Sequence, residues 1–309
     1  MQVQERIFLL TIFLAVLLKL YIDSAHGLNL ASLRNFISLN QFNHPGKVCP
    51  TLKSIEFTTT DHKGNFHEEG VNYVIIFDPK AKDLDFKVNL GLFHQLYAKD
   101  DDGKIRQGYI PKLFSELITD ENSLLNGKQP IAGINGDHIG IDNKPQGLNI
   151  SRGVEYSGAF KDKRSSFGIS GGKAEERRAT IQIGRRKEEI LNYNVIGGNG
   201  RFYQNGKFKN ICKDLGEACA QETSRSLVAI TSKGYVVFLV NNADLEEALY
   251  PSMFDDVLEG IAENYCLGKI QEGMLFEGGF STGLFFNKKI YVENTHPSGS
   301  VFLIYKKGR

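Results

Sequence analysis

Tryptophan is absent from the 309 residues, so any ring that stacks on a ligand must come from Tyr or Phe. Phe202, Tyr203 and Phe280 are the candidates beside polar loops. Cysteine is sparse, at four, and no CxxC pair occurs, which excludes the usual structural zinc spacing. Charge of one sign is not in excess: 37 Lys and Arg face 36 Asp and Glu. That balance argues against a nucleic-acid binder, which carries a basic surplus. No glycine-lysine-serine/threonine series follows a glycine loop, so a phosphate-cradling Walker loop is excluded. Proline/serine-rich linkers, low-complexity tracts and internal repeats are missing too, leaving nothing to divide the chain. The longest apolar run, Ile7 to Leu18, is too short for a bilayer span of about 20 residues.

What is present begins with that run. "IFLLTIFLAVLL" at the extreme N-terminus, with Ala25 and Gly27 beyond it, reads as an export signal over residues 1–27, or as an uncleaved anchor. No other membrane contact and no nucleic-acid partner is expected. A secreted or periplasmic location gives the even cysteine count a meaning, namely two disulfides. Cys212 and Cys219 flank the short loop "CKDLGEAC" and form the favoured pair, which leaves Cys49 for Cys266.

The body reads as α+β, a β-rich single domain with mixed or antiparallel sheet and a few packed helices, over residues 28–309. "SIEFTTTD" and "VNYVIIFDPK", the latter stopped by Asp78-Pro79, read as strands, "FKVNLGLF" reads as another by alternation, and "SLVAITSKGYVVFLVNN" reads as a hairpin turning at Ser232–Gly234. Ser252 and Asp255 form a start signal for an amphipathic helix carrying Phe254, Val257, Leu258 and Ile261 on one face. "KDDDGK" lacks the alternating oxygens and distal glutamate of a calcium loop. Asp137, His138 and Asp142 match no metal-ligand spacing, so neither metal nor cofactor is expected.

The chemistry concentrates in "MLFEGGFSTGLFF", residues 274–286. Consecutive glycines can turn backbone N–H groups inward as an anion nest, with Ser281 and Thr282 adding hydroxyls and Glu277 a carboxylate at a strand end. The same residues also suit a bulged hairpin. Three further stretches are of the same kind. "INGDHIGIDNKPQG" holds Asn135, Gly136 and Asp137 at a strand end; "IGGNGRFYQNGK" holds Gly198; "SRSLVAI" opens on Ser224 and Arg225.

In this order the stretches resemble the phosphodiester glycosidase family, whose series runs NG…PxG, GGxxLxxNG, RTAxG, a helix, and LDGGGSS. The resemblance spans about 130–305 and includes the closing "KKIYVENTHPSGSVFLIY". Three positions depart from it: Glu277 stands for the family Asp, Phe280 for its third Gly, and Arg225-Ser226 for its Arg-Thr. The extra methylene moves a carboxylate by about 1 Å, a shift that can alter rates a hundredfold.

The resemblance implies an exported hydrolase that cleaves the C1–O bond of a glycosyl-1-phosphodiester, releasing sugar and a phosphomonoester. Its partner is a glycosyl-phosphate or phosphorylated glycan. Glu277 would be base or nucleophile, Arg225 a phosphate clamp, and Asp137 a second carboxylate or hydroxyl ligand. Asn135, Gly136, Gly198, Gly278, Gly279, Ser281 and Thr282 would bind substrate. A non-catalytic module binding phosphorylated glycans is the alternative. A structural β-protein whose glycines only turn the chain is a third.

Overall fold

The computed structural model describes residues 49–307, apart from 91–95, 100–104, 109–110, 141–143, 158–163, 244–246 and 294. The expected export segment, the acidic turn and Asp142 lie outside the described residues.

Alternation of apolar and polar side chains dictates strands, and three sheets result. The largest has seven strands, in spatial order Ile55–Thr60 (β1), Asn72–Phe77 (β2), Val236–Asn241 (β15), Arg225–Thr231 (β14), Ile270–Leu275 (β16), Arg201–Gln204 (β12) and Lys207–Phe208 (β13). A second sheet runs Ala179–Ile183 (β10), Ser165–Ile169 (β9), Asn194–Gly197 (β11), Asn149–Ser151 (β7) and Val154–Ser157 (β8). The third runs Lys289–Val292 (β18), Leu284–Phe286 (β17), Ala132–Asn135 (β6), Val301–Lys306 (β19) and Leu84–Asn89 (β3). Leu96–Lys99 (β4) and Ile105–Gly108 (β5) pair separately. Every ladder among the described residues is antiparallel. The chain is thus β-rich, with few helices.

One core joins the three sheets. Phe77 and Phe238 of the seven-stranded sheet, Phe167 of β9, and Phe86 and Phe302 of the third sheet meet as fully buried rings, with centroids 5.1–6.0 Å apart. Such tilted and edge-on pairs add favourable quadrupole contacts to the burial itself. On the strands of the large sheet the intervening residues Val74, Ile76, Leu227, Ala229, Val237 and Leu239 point the other way. They pack under Phe254, Val257, Leu258 and Ile261 of helix Phe254–Asn264 (α3). Both faces of β14 and β15 are therefore covered, which explains their unbroken apolar runs. Helix Phe114–Thr119 (α1) covers the outer face of the third sheet, where its Phe114 and Leu117 cluster with Leu303 of β19.

The hairpin β14–β15 forms with the turn where the sequence places it: Gly234 has φ +85° and donates its N–H to Thr231 O at 2.8 Å. The α3 start differs from expectation. A 3-10 turn, Pro251–Met253, precedes the helix, and no side chain caps it. Pro251 pre-sets that turn, and the Asp255 carboxylate instead accepts the Tyr203 hydroxyl. Phe202 and Tyr203 belong to the core under α3, 0% and 3% exposed, so neither can stack on a ligand; Phe280, at 72%, can. Cys212 of helix Cys212–Leu215 (α2) pairs with Cys219, Cys49 and Cys266 are also disulfide-bonded, and no described cysteine is free. Among the described residues no helix is long and apolar enough to cross a membrane.

Candidate functional site

The ends of β6, β14 and β16 meet at one place, and a single side chain ties them. Asn135, the last residue of β6, is fully buried. Its Oδ1 accepts from Ser226 Oγ at 2.6 Å and Gly283 N at 3.0 Å, and its Nδ2 donates to Glu277 O at 2.7 Å. The amide thereby uses a β6 residue to fix the start of β14 and both ends of the loop after β16. Its groups are directed inward, which differs from the sugar-binding role expected for it.

Gly136 continues the junction: its N–H bonds Ser300 O at 2.9 Å and its carbonyl accepts from Glu277 N at 2.7 Å. A Cβ there would sit 2.0 Å from Ile196 Cδ1, so a larger residue would require the buried Ile196 side chain to shift. Gly198, across the way, donates to Ser165 O at 3.1 Å. In the glycine loop, Gly279 N donates to Ser224 O at 2.8 Å, Thr282 N to Gly279 O at 3.1 Å and Gly283 N to Asn135. These amides hold the loop against β14 rather than opening together as a cradle. Gly278 lies so close to that strand that a Cβ would meet Ser224 O at 2.8 Å. Ser281 Oγ donates to Pro297 O at 3.3 Å, while buried Thr282 has no partner for its Oγ1.

Asp137 is the other fully buried member. Its carboxylate accepts from Gly147 N at 2.5 Å, Asn149 Nδ2 at 2.7 Å and His138 N at 2.8 Å. It staples the loop after β6 to β7, and that use leaves it no open face for a ligand. The same bonds bury Asn149, the acceptor of the sequon Asn149-Ile150-Ser151, which the folded protein thereby withholds from glycosylation. Burial pushes the Asp137 carboxyl up to about 6 from 3.8, with the Gly147 and Asn149 bonds pulling it back.

A raised carboxyl pKa means that protonation favours the folded state. The resulting stability is complete below the ordinary pKa and is lost as pH rises through about 6. The shift of about two units corresponds to about 3 kcal/mol. Asp137→Asn should remove this titration. The gap in unfolding free energy between wild type and variant should be larger at pH 4 than at pH 7 by that order, as read from urea melts. A gap that does not change with pH would refute the linkage.

Arg225 opens β14 and is 6% exposed. Its Nη2 donates to Ala218 O at 2.7 Å, inside the loop closed by the Cys212–Cys219 bond, and to Gln221 O at 3.2 Å, two residues beyond it, and its Nε has no partner. Burial lowers its pKa, with no neighbouring charge to offset that. The guanidinium therefore anchors the disulfide loop beside Ser224 and the glycine loop.

Glu277 is the carboxylate left at the junction. Its Oε1 lies 3.4 Å from His138 Nδ1, with the side chains 16% and 26% exposed, and its Oε2 has no protein partner. His138 Nε2 is 3.4 Å from Asn199 Nδ2. An amide nitrogen only donates, so Nε2 accepts and the ring proton sits on Nδ1, facing Glu277. Beyond them Gln146 N donates to His138 O at 3.0 Å, and Arg164 Nη1 donates to Gln146 Oε1 at 2.6 Å.

The junction thus brings together Asn135, Gly136, Glu277, Gly278 and Gly279, with Arg225 behind the loop and Asp137 beneath it. Asn199 and Arg164 escaped the sequence reading, and His138 was weighed there only as a metal ligand. The only signal for His138 was its place three residues past Asn135 on the same strand exit. Among the described residues no three His, Cys, Asp or Glu side chains group closely enough to hold a metal ion. Beside the glycine loop, a groove of about 440 Å³ runs between the Glu222–Ser224 segment and the Val292–Thr295 segment.

A family model described as phosphodiester glycosidase matches residues 128–303, which covers the whole junction. No curated protein sequence matches the chain. Among solved structures, the chain is similar to the zebrafish N-acetylglucosamine-1-phosphodiester α-N-acetylglucosaminidase catalytic domain, auto-inhibited by its pro-peptide. That match has TM-score 0.53 and 11% identity, over 85% of this chain and 86% of the other. A hypothetical protein from Synechocystis matches with TM-score 0.51 and 12% identity, over 82% of this chain and 61% of the other. At such identities the likeness establishes the fold.

Proposed function

The chain belongs to the phosphodiester glycosidase family, and from that premise we propose that it hydrolyses the C1–O bond of a glycosyl-1-phosphodiester. Water adds to the anomeric carbon, the glycosidic C–O electrons leave with phosphate, and the products are a free sugar and a phosphomonoester. A phosphate leaving group is already a weak base, so the second carboxyl that protonates an alcohol in ordinary glycosidases is not required. One carboxylate suffices.

The observation that carries this reading is the state of Glu277. One oxygen faces His138 Nδ1 and the other is buried without a protein partner, at the meeting point of three strand ends. Glu277 acts as base or nucleophile, and His138 orients it by donating from Nδ1. Arg164, tied to the His138 segment through Gln146, supplies positive charge toward the phosphate. Asp137, Asn135 and Arg225 are positioning residues, holding the loops that carry these groups. The glycine-loop groups, Gly278, Gly279, Ser281 and Thr282, border the substrate. The N-terminal apolar segment and the disulfides support export as the setting.

Glycosyl phosphodiesters should be hydrolysed in ¹⁸O-water with the label recovered in the sugar and none in the phosphomonoester, as read by mass spectrometry. Label in phosphate would place the cut at P–O and overturn the mechanism. The binding-only reading keeps one observation in its favour, the inward use of Arg225. It would prevail if the wild type bound the panel of glycosyl phosphates and released sugar from none.

A further inference from the structure

The groove beside the glycine loop has a chemistry of its own. Among the described residues its charged lining is Glu222 and Glu293, with no Lys or Arg. A phosphate would be repelled there. Hydroxyl and amide groups make up much of the remainder, Thr223, Thr282 and Asn242 among them. Thr282 is 1% exposed, lines the groove and keeps its Oγ1 without a hydrogen-bond partner. An unpaired buried hydroxyl costs stability unless something bonds it. Phe280 completes the wall, 72% exposed, with one face against the His296 ring at 5.0 Å. Its carbonyl accepts from Thr295 N at 2.9 Å and His296 N at 3.0 Å, which fixes the backbone beneath that ring.

We propose that this groove, which Glu277 does not line, is a subsite for a neutral saccharide unit of the substrate. Carboxylates accept hydrogen bonds from sugar hydroxyls, threonine hydroxyls both give and take them, and the free face of Phe280 covers the C–H face of a pyranose. Ligand sites commonly pair an aromatic wall with a few placed polar groups in this way. Phe280 stands where the family series resembled by this chain has its third glycine, so the platform is a feature of this chain and a determinant of its selectivity. The inference rests on the proposed hydrolysis of glycosyl phosphodiesters, since it names which part of such a substrate the groove holds.

Two measurements on the intact chain separate the subsite from that reading. The first is direct binding of chitobiose, α-mannobiose and lactose by saturation-transfer NMR, which needs no turnover. Wild type should bind at least one of them, and both Phe280→Gly and Glu293→Gln should weaken that binding about tenfold. Both positions lie at the surface, so circular dichroism should show the fold kept. The second is the ratio of kcat/KM for a glycosyl phosphodiester with a saccharide aglycone to that for one with a methyl aglycone. Phe280→Gly should lower this ratio about tenfold. Disaccharide binding without any hydrolysis would uphold the subsite while defeating the hydrolase reading. Hydrolysis with no disaccharide bound, or with both variants equal to wild type, would overturn the subsite and leave the hydrolase reading intact.

Discussion

Glu277→Gln should reduce turnover of a glycosyl phosphodiester by about a thousandfold or more, in the range lost with a general base or nucleophile. The change is isosteric, so the fold and the affinity for uncleaved substrate should persist. The amide oxygen can take the Oε1 position and still accept from His138 Nδ1, so the contact itself should persist while the negative charge is lost. Glu277→Asp should be nearly as informative. It restores the family residue, yet retracts the carboxylate by about 1 Å from the imidazole, and such a misplacement costs up to about a hundredfold in rate. His138→Gln should fall between them, because it removes orientation and leaves the carboxylate. Single-turnover rates and equilibrium binding on the same preparations read the two effects apart. Unchanged turnover in Glu277→Gln would remove Glu277 from the chemistry.

Much of this fold could be read directly from alternation and turn chemistry. β3 lies where a period-two pattern puts it, and β2 and the β14–β15 hairpin lie where apolar runs closed by Asp78-Pro79 and a glycine turn put them. The disulfide at Cys212 follows from a short loop between two cysteines. The helix cap did not form as expected, since a proline turn and a tyrosine hydroxyl competed for the same backbone and carboxylate. The site was legible as a set of loops but not as a set of roles. Sequence proximity placed Asn135, Gly136 and Asp137 together, yet could not tell that the amide and carboxylate point inward to stitch loops 142 and 12 residues away in sequence. Nor could it see that Arg225 turns toward one carbonyl of the disulfide loop and a second just past it. Polarity at a strand end signals hydrogen bonding; only the packing decides whether the partner is protein or ligand. The contact between His138 and Glu277 joins loops that leave strands of different sheets, a pairing for which a single sequence carries no local sign.

Asn135→Ala should produce the largest loss of stability of any single change at this junction. Truncation leaves the Ser226 hydroxyl, the Gly283 N–H and the Glu277 carbonyl without partners in a fully buried place. Each such group costs about 1–3 kcal/mol, so a total near 4 kcal/mol is expected. That is a large part of the roughly 5–15 kcal/mol holding a typical domain together. Urea unfolding at fixed pH reads it, with Ser226→Ala as the comparison that removes one of the three bonds and should cost about 1 kcal/mol. The double variant should fall short of the sum, since the hydroxyl and the amide are partners and lose the same bond. Turnover should fall with stability at temperatures where the variant is still folded, because freeing the Glu277 carbonyl lets the catalytic carboxylate drift from His138. Asn135→Asp makes the sharper case: it keeps the acceptor for Ser226 and Gly283 but turns a second oxygen on the Glu277 carbonyl, so repulsion replaces a bond at one point only. If Asn135→Ala unfolds within about 1 kcal/mol of wild type, the three strand ends are held by something other than this amide. The geometry that sets Glu277 against His138 would then need another cause.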